Sequence, residues 1–237
     1  MAFPETRQSA VAWLCSPDEG LRARGVRVIA EVYWSAIYKH LRLTFRLSPE
    51  AAEDAVQAFL LHLVETELLS DYVATRTRFR TYLRHCLDNF AIDAHRRASA
   101  QRRRGTDLDL DFASVEASLA HDRTDAAADL DRAWVLRIAE VAVERLLATL
   151  ERTGKTVHAE LFRRFHLQDD PPRYQTVADE RGIAATDVTS WLHVARREFR
   201  HVELELLREI TASEEEFVDE ARDVFGISLE VTVKQRE

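Results

Sequence analysis

The sequence predicts an all-α protein built as two helical domains joined by an acidic linker. Three observations carry that expectation. Apolar residues recur at helical spacing through long segments, interrupted by only six glycines and five prolines in 237 residues. Helix-start signals stand ahead of these segments, at Ser16-Pro17-Asp18-Glu19, Ser48-Pro49-Glu50 and Ser213 to Glu216. Charge is segregated: residues 76–104 hold nine arginines against two acids, and residues 107–131 hold eight acids against Arg123. The division expected is a first domain over 1–105, a linker over 106–131, a second domain over 132–211 and a tail over 212–237 with one short helix.

Composition narrows the class. At 46% hydrophobic residues the chain can build a real core. No run of about eighteen apolar residues occurs, so no membrane insertion is expected. The opening MAFPETRQSAVAW lacks the charged-then-apolar layout of a secretory signal, and a cytoplasmic location is expected. Cys15 and Cys86 have neither metal nor redox spacing and read as reduced structural cysteines. Nine histidines are scattered without a ligand pattern, so metal binding is not expected of them. The net charge of −8 argues against a simple nucleic-acid sponge, yet it conceals the +7 block of 76–104.

Taken in order, the first long helix is expected from near Leu21 to Phe45, with Val28, Val32, Tyr33 and Ala36 facing the core. Gly25 weakens its start. The next helix carries the stripe Ala52, Ala55, Val56, Phe59, Leu60, Leu63 and Val64. Its other side shows Glu50, Glu53, Asp54, Gln57 and Leu61, where a leucine aligned with polar residues suggests a partner surface; an ordinary solvated face fits as well. Residues 68–77 read as a loop containing Tyr72. The arginine-rich segment follows. Phe79, Tyr82, Leu83, Cys86, Leu87 and Phe90 make one apolar stripe, and Asn89, Asp93, Arg96 and Arg97 make a second, polar one. Both a solvated basic face and a nucleic-acid surface fit the second stripe, since guanidinium groups pair with phosphates and stack on bases.

Beyond the linker, periodicity returns near Trp134 with Leu136, Ile138, Val141, Val143, Leu146, Leu147 and Leu150. A short helix is expected over Val157 to His166, ended by Asp169-Asp170-Pro171-Pro172. The segment from Arg173 then fits a helix-turn-helix. Val177 and Ala178 pack in its first helix, Gly182 supplies the turn, and Ile183, Val188, Trp191, Leu192 and Ala195 face the core. Thr186, Asp187, Thr189, Ser190, His193, Arg196, Arg197 and Arg200 are left on or near the open face. Short polar groups first and arginines later suit base edges first and phosphates later. The tail helix shows Phe217, Val218, Ala221, Val224 and Phe225 on one face, which must dock on something, and Ile227 to Val233 alternates like a strand.

With these segments in place, the chain resembles a bacterial RNA polymerase sigma factor of the extracytoplasmic-function (ECF) group. SPEAAEDAVQAFLLHLVE is similar to that family's polymerase-binding helix, usually written around D-A-E-D-x-x-Q-x-x-F, with Ala51 in place of its first acid. RTRFRTYLRHCLDNFAIDAHRRASAQRRRG is similar to the helix and loop that open and read the −10 box, and Asn89, Asp93, Arg96 and Arg97 fit the family's N-x-x-x-D-x-x-R-R. The helix-turn-helix is similar to the module that reads the −35 box, although Ala184 stands where a capping serine is usual. The resemblance covers about residues 20–104 and 132–208. F-P-E-T near the start, Tyr33-Trp34, R-F-R-T-Y-L and the acidic tail are similar to a subgroup whose genes often lie near Ser/Thr kinases.

The resemblance implies a sigma region 2-like first domain, a region 4-like second domain, no cofactor or metal and no catalysis. It implies that Glu53, Asp54, Gln57, Leu60 and Leu61 face the β′ clamp helices of core RNA polymerase, with the β flap as a further contact. Tyr72, Arg76, Arg78, Asn89, Asp93, Arg96 and Arg97 would handle the melted −10 region of promoter DNA. Thr186, Thr189, Ser190, His193, Arg196, Arg197 and Arg200 would enter the −35 major groove. Control by an anti-sigma factor or a Ser/Thr kinase would follow, with Thr66 one candidate for phosphorylation. Two other classes compete. A stand-alone helix-turn-helix regulator leaves the Asp54/Gln57 and Asn89–Arg97 stripes unexplained. A helical nuclease using Glu53, Asp54 and His62 lacks a paired-carboxylate metal spacing.

Overall fold

The computed structural model describes residues 9–65, 72, 77–103 and 123–227, with only the backbone described for 98–103 and 123–127. Among the described residues there are nine α-helices and no strand, so the fold class is all-α as expected. The helices are α1 (Ala10–Leu14), α2 (Glu19–Thr44), α3 (Pro49–Glu65), α4 (Phe79–Arg103), α5 (Arg123–Arg152), α6 (Thr156–His166), α7 (Tyr174–Arg181), α8 (Ala185–Glu209) and α9 (Glu214–Phe225). Two compact units result: residues 1–137 with 207–237, and residues 138–206. Both boundaries fall inside helices, α5 and α8.

Local chemistry explains the helix ends. Ser9 caps α1, its hydroxyl accepting from the Ala12 N–H. Asp18, rather than Ser16, caps α2: its carboxylate accepts from the Leu21 N–H at 2.9 Å, while Ser16 Oγ accepts from Asp18 itself. Ser48 caps α3 through the Ala51 N–H, with Pro49 as the first helical residue. Helix α5 begins at Arg123, so residues 123–131, the last third of the expected linker, are helical. Acid- and alanine-rich residues carry no apolar stripe of their own, but extending an existing helix needs only one hydrogen bond per residue fixed. Residues 104–122 lie outside the described residues, as do Thr66 and the run after Ile227.

The first unit is built on α2. Ile29, Val32, Tyr33, Ala36, Ile37 and Leu41 are buried along it, as are Ala52, Val56, Phe59 and Leu63 of α3 and Phe79, Leu83 and Leu87 of α4. Tyr33 meets Phe79 edge-on (5.9 Å, 83°) and Trp134 at a tilt (5.9 Å, 33°). His40 of α2 and Asp88 of α4 form a buried polar link, Nε2 to Oδ1 at 2.7 Å. Leu136, one of the leucines of the returning periodicity, is 60% exposed on α5. The tail helix α9 docks within this unit through Phe217, Val218 and Ala221.

The second unit has two apolar clusters. Leu146, Leu150, Ala159, Phe162 and Ala195 make one, with Val143, Leu147 and Phe199 against it. Leu161, Val177, Ala178, Val188 and Leu192 make the other, with Trp191 and Ile183 at its edge. Gly182 takes the left-handed conformation (φ 65°) that turns α7 into α8, and the Ile183 N–H returns to the Ala178 carbonyl. The helix-turn-helix packing therefore uses the residues that its spacing indicates.

Candidate nucleic-acid interface

Helix α3 exposes Glu53, Asp54, Gln57 and Leu61 together, and Val64 extends the strip. Leu61 is 56% exposed. Leu60 is a correction: it is 8% exposed and belongs to the buried side with Phe59 and Leu63, since adjacent helical positions point about 100° apart. His62 leans on the Phe90 ring (5.4 Å), away from any ligand set with Glu53 and Asp54. Among the described residues no group of three or more His, Cys, Asp or Glu is placed to hold a metal ion.

Helix α4 separates its two stripes cleanly. Its apolar side is core, while Asn89, Asp93, Arg96 and Arg97 are all exposed. Arg96 lies 4.0 Å from the Asp93 carboxylate, and Arg97 Nε donates to the Asp93 carbonyl at 3.3 Å. Such exposed contacts are individually weak, about 0–1 kcal/mol. The face thus offers an amide, a carboxylate and two forked cations in one row. Arg76 and Arg104 lie outside the described residues, and of Arg102 and Arg103 only the backbone is described.

The residues ahead of α4 behave differently. Tyr72, expected to meet an unstacked base, is 4% exposed. Its ring packs on Phe79 (5.4 Å, 77°) and Tyr82 (5.0 Å, 44°), and its hydroxyl donates to Glu216 Oε2 at 3.1 Å. In this arrangement the ring is packed and the hydroxyl satisfied, so Tyr72 is not presented to a base. Arg78 is bound to Asp223 at 2.5 Å, each side chain roughly half-exposed. Arg80 is drawn further in, over the Trp134 ring at 4.7 Å and between Asp131 (3.3 Å) and Glu220 (3.2 Å). Glu216 and Glu220, both buried, went unrecognised in the sequence; the Ser213–Glu216 capping box was the one available signal.

In the second unit Thr186, Thr189, Ser190, His193, Arg196, Arg197 and Arg200 are all exposed along α8, and their spacing makes one stripe. Thr189 Oγ1 donates to the Ala185 carbonyl, leaving its lone pairs outward. Arg197 sits 3.6 Å from Glu198 and Arg200 3.2 Å from the buried Glu203. Arg196 is held sideways: its Nε donates to His166 Nε2 at 3.0 Å and its Nη2 to the Tyr174 hydroxyl at 3.3 Å. Tyr174 is itself stacked on Phe165 (4.9 Å, 19°). Partial burial and the Arg196 charge hold His166 below the ordinary imidazole range, consistent with a neutral acceptor. Asp187, placed on the open face by spacing, has a second task. Its carboxylate accepts from the Ala184 N–H at 3.2 Å, the N3 half of a capping box, while Ala184 has no hydroxyl to supply the other half.

Comparison with known proteins adds no family to this geometry: no protein-family model, curated protein or solved structure matches the chain.

Proposed function

We propose that the chain is an ECF-type RNA polymerase sigma factor: it binds core polymerase through α3 and directs it to promoters through α4 and α8. The observation that carries this reading is the exposed row Asn89, Asp93, Arg96 and Arg97 on a helix whose opposite side is core. Arginines and an amide in one row suit a single strand that must be gripped by phosphate and read by base. The exposed Glu53, Asp54, Gln57 and Leu61 supply a separate, acidic-apolar surface for the clamp helices. The α8 stripe, polar hydroxyls then His193 then arginines, fits insertion of the helix N-terminal half into a major groove. In this reading the protein performs no bond chemistry and needs no cofactor.

The test is transcription from a random promoter library with core polymerase, with and without the full-length chain. Enrichment of paired −35 and −10 elements in the presence of the chain is the expected result. A stand-alone regulator would instead bind duplex DNA tightly by itself and enrich no start sites.

A further inference from the structure

Three carboxylates of α9 stand in one row, Glu216, Glu220 and Asp223, at i, i+4 and i+7. All three are taken up by the stretch that opens α4. Glu216 Oε1 accepts from the Phe79 N–H at 2.5 Å, and Oε2 accepts from the Tyr72 hydroxyl at 3.1 Å and from the Ala212 N–H at 2.7 Å. Glu220 lies 3.2 Å from Arg80 Nη2, and Asp223 lies 2.5 Å from Arg78 Nη1. The first N–H groups of a helix have no partner in the helix and carry partial positive charge, so Glu216 caps α4 from 137 residues away.

The donors engaged here are two guanidinium groups, a phenol and a helix N-terminus. A nucleic-acid strand would engage the same set with its phosphates. One oxygen also marks the row as imperfectly satisfied. Glu220 is 1% exposed, and its Oε2, although within ion-pair distance of Arg80, is out of line for a hydrogen bond and has no such partner among the described residues. A buried carboxylate oxygen without a hydrogen bond is uncommon in a contact that serves packing alone.

We propose that α9 is an internal stand-in for a nucleic-acid strand, its acidic row competing with phosphates for Tyr72, Arg78, Arg80 and the α4 N-terminus. This rests on the nucleic-acid reading of α4 given above. In the state described, the start of α4 is closed and the Asn89–Arg97 row beyond it is open. Helix α9 has twelve residues, a length at which an isolated helix is marginal, so its order depends on this docking. Displacing it therefore costs helix as well as contacts, and binding of a strand and docking of α9 oppose each other reciprocally.

The experiment uses the full-length chain and a fluorescent single-stranded DNA oligonucleotide at low salt. Wild type, Asp223→Asn, Glu216→Gln with Asp223→Asn, and Arg78→Ala with Asp223→Asn are compared. Asp223 is on the rim, so its variant keeps the fold. The expected results are a several-fold tighter complex for Asp223→Asn, a larger gain for the double acid variant, and loss of the gain when Arg78 is also removed. In the wild type, hydrogen exchange within 214–225 should accelerate when oligonucleotide is added. Unchanged protection of 214–225 in an oligonucleotide complex, or acid variants that bind no better than wild type, overturns the proposal. Co-elution with core polymerase, run on the same variants, reads the sigma-factor assignment separately. Competition lost with co-elution intact defeats this inference alone, and co-elution lost with competition intact defeats only the assignment.

Discussion

A methyl group at position 25 has nowhere to go: built on Gly25, it would lie 2.7 Å from the Ala10 carbonyl oxygen and 3.0 Å from Leu14 Cγ. The glycine that looked like a weakness in α2 is where α1 crosses it, backbone against backbone. Gly25→Ala should therefore destabilise the protein by about 1–3 kcal/mol, the usual cost of overpacking, despite a gain in helix propensity of about 1 kcal/mol. Urea denaturation measures it, and an unchanged or raised midpoint would contradict the contact. Glu220 makes a second prediction at this scale. Burial raises its carboxyl above the ordinary range; Arg80 and Arg78 pull the other way, and Glu216 and Asp223 add to the rise. A raised folded value means that folding favours the protonated form. That contribution is complete below the unfolded carboxylate value of about 4.3 and is lost as pH rises through the folded value. Relative to Glu220→Gln, which does not titrate, the wild type should gain stability as pH is lowered from neutral toward that value. Denaturation of both proteins across this window checks it; a constant difference would contradict it.

At the scale of elements, α8 carries the most specific prediction. His193→Ala and Arg197→Ala should each weaken −35 recognition by about 1–3 kcal/mol and relax the sequence preference at the base each one meets. Selection from a random promoter library reads this, and an unaltered −35 preference in both variants would rule the placement out. The helix-turn-helix was legible because its signals are local: Gly182 at the turn, with Val188, Leu192 and Ala195 at helical spacing. The same holds for Ser48 capping α3 and for the two faces of α4. What stayed hidden depends on distant partners. By pattern Tyr72 falls in a loop, and nothing in its neighbourhood announces Glu216, 144 residues later. Leu60 and Leu61 are adjacent leucines, and only packing decides which one enters the core. Helix α1, five residues long, is too short to show a period.

For the whole molecule the proposed function is a partnership, in which two units would present nucleic-acid surfaces and the α3 strip would present a surface for core polymerase. Among the described residues no helix is long and apolar enough to cross a membrane. The charge blocks 76–104 and 107–131 are opposite in sign and adjacent in sequence, and α9 sets further carboxylates against Arg78 and Arg80. All of this turns on polymerase. The most direct measurement is co-elution of the full-length chain with core RNA polymerase on a sizing column. Wild type is set beside Asp54→Arg with Gln57→Ala, two exposed positions whose change should leave the helical circular dichroism intact. The account predicts that the wild type travels with the polymerase and that the variant elutes alone. A wild type that elutes alone, or a variant that binds as well as wild type, would contradict it.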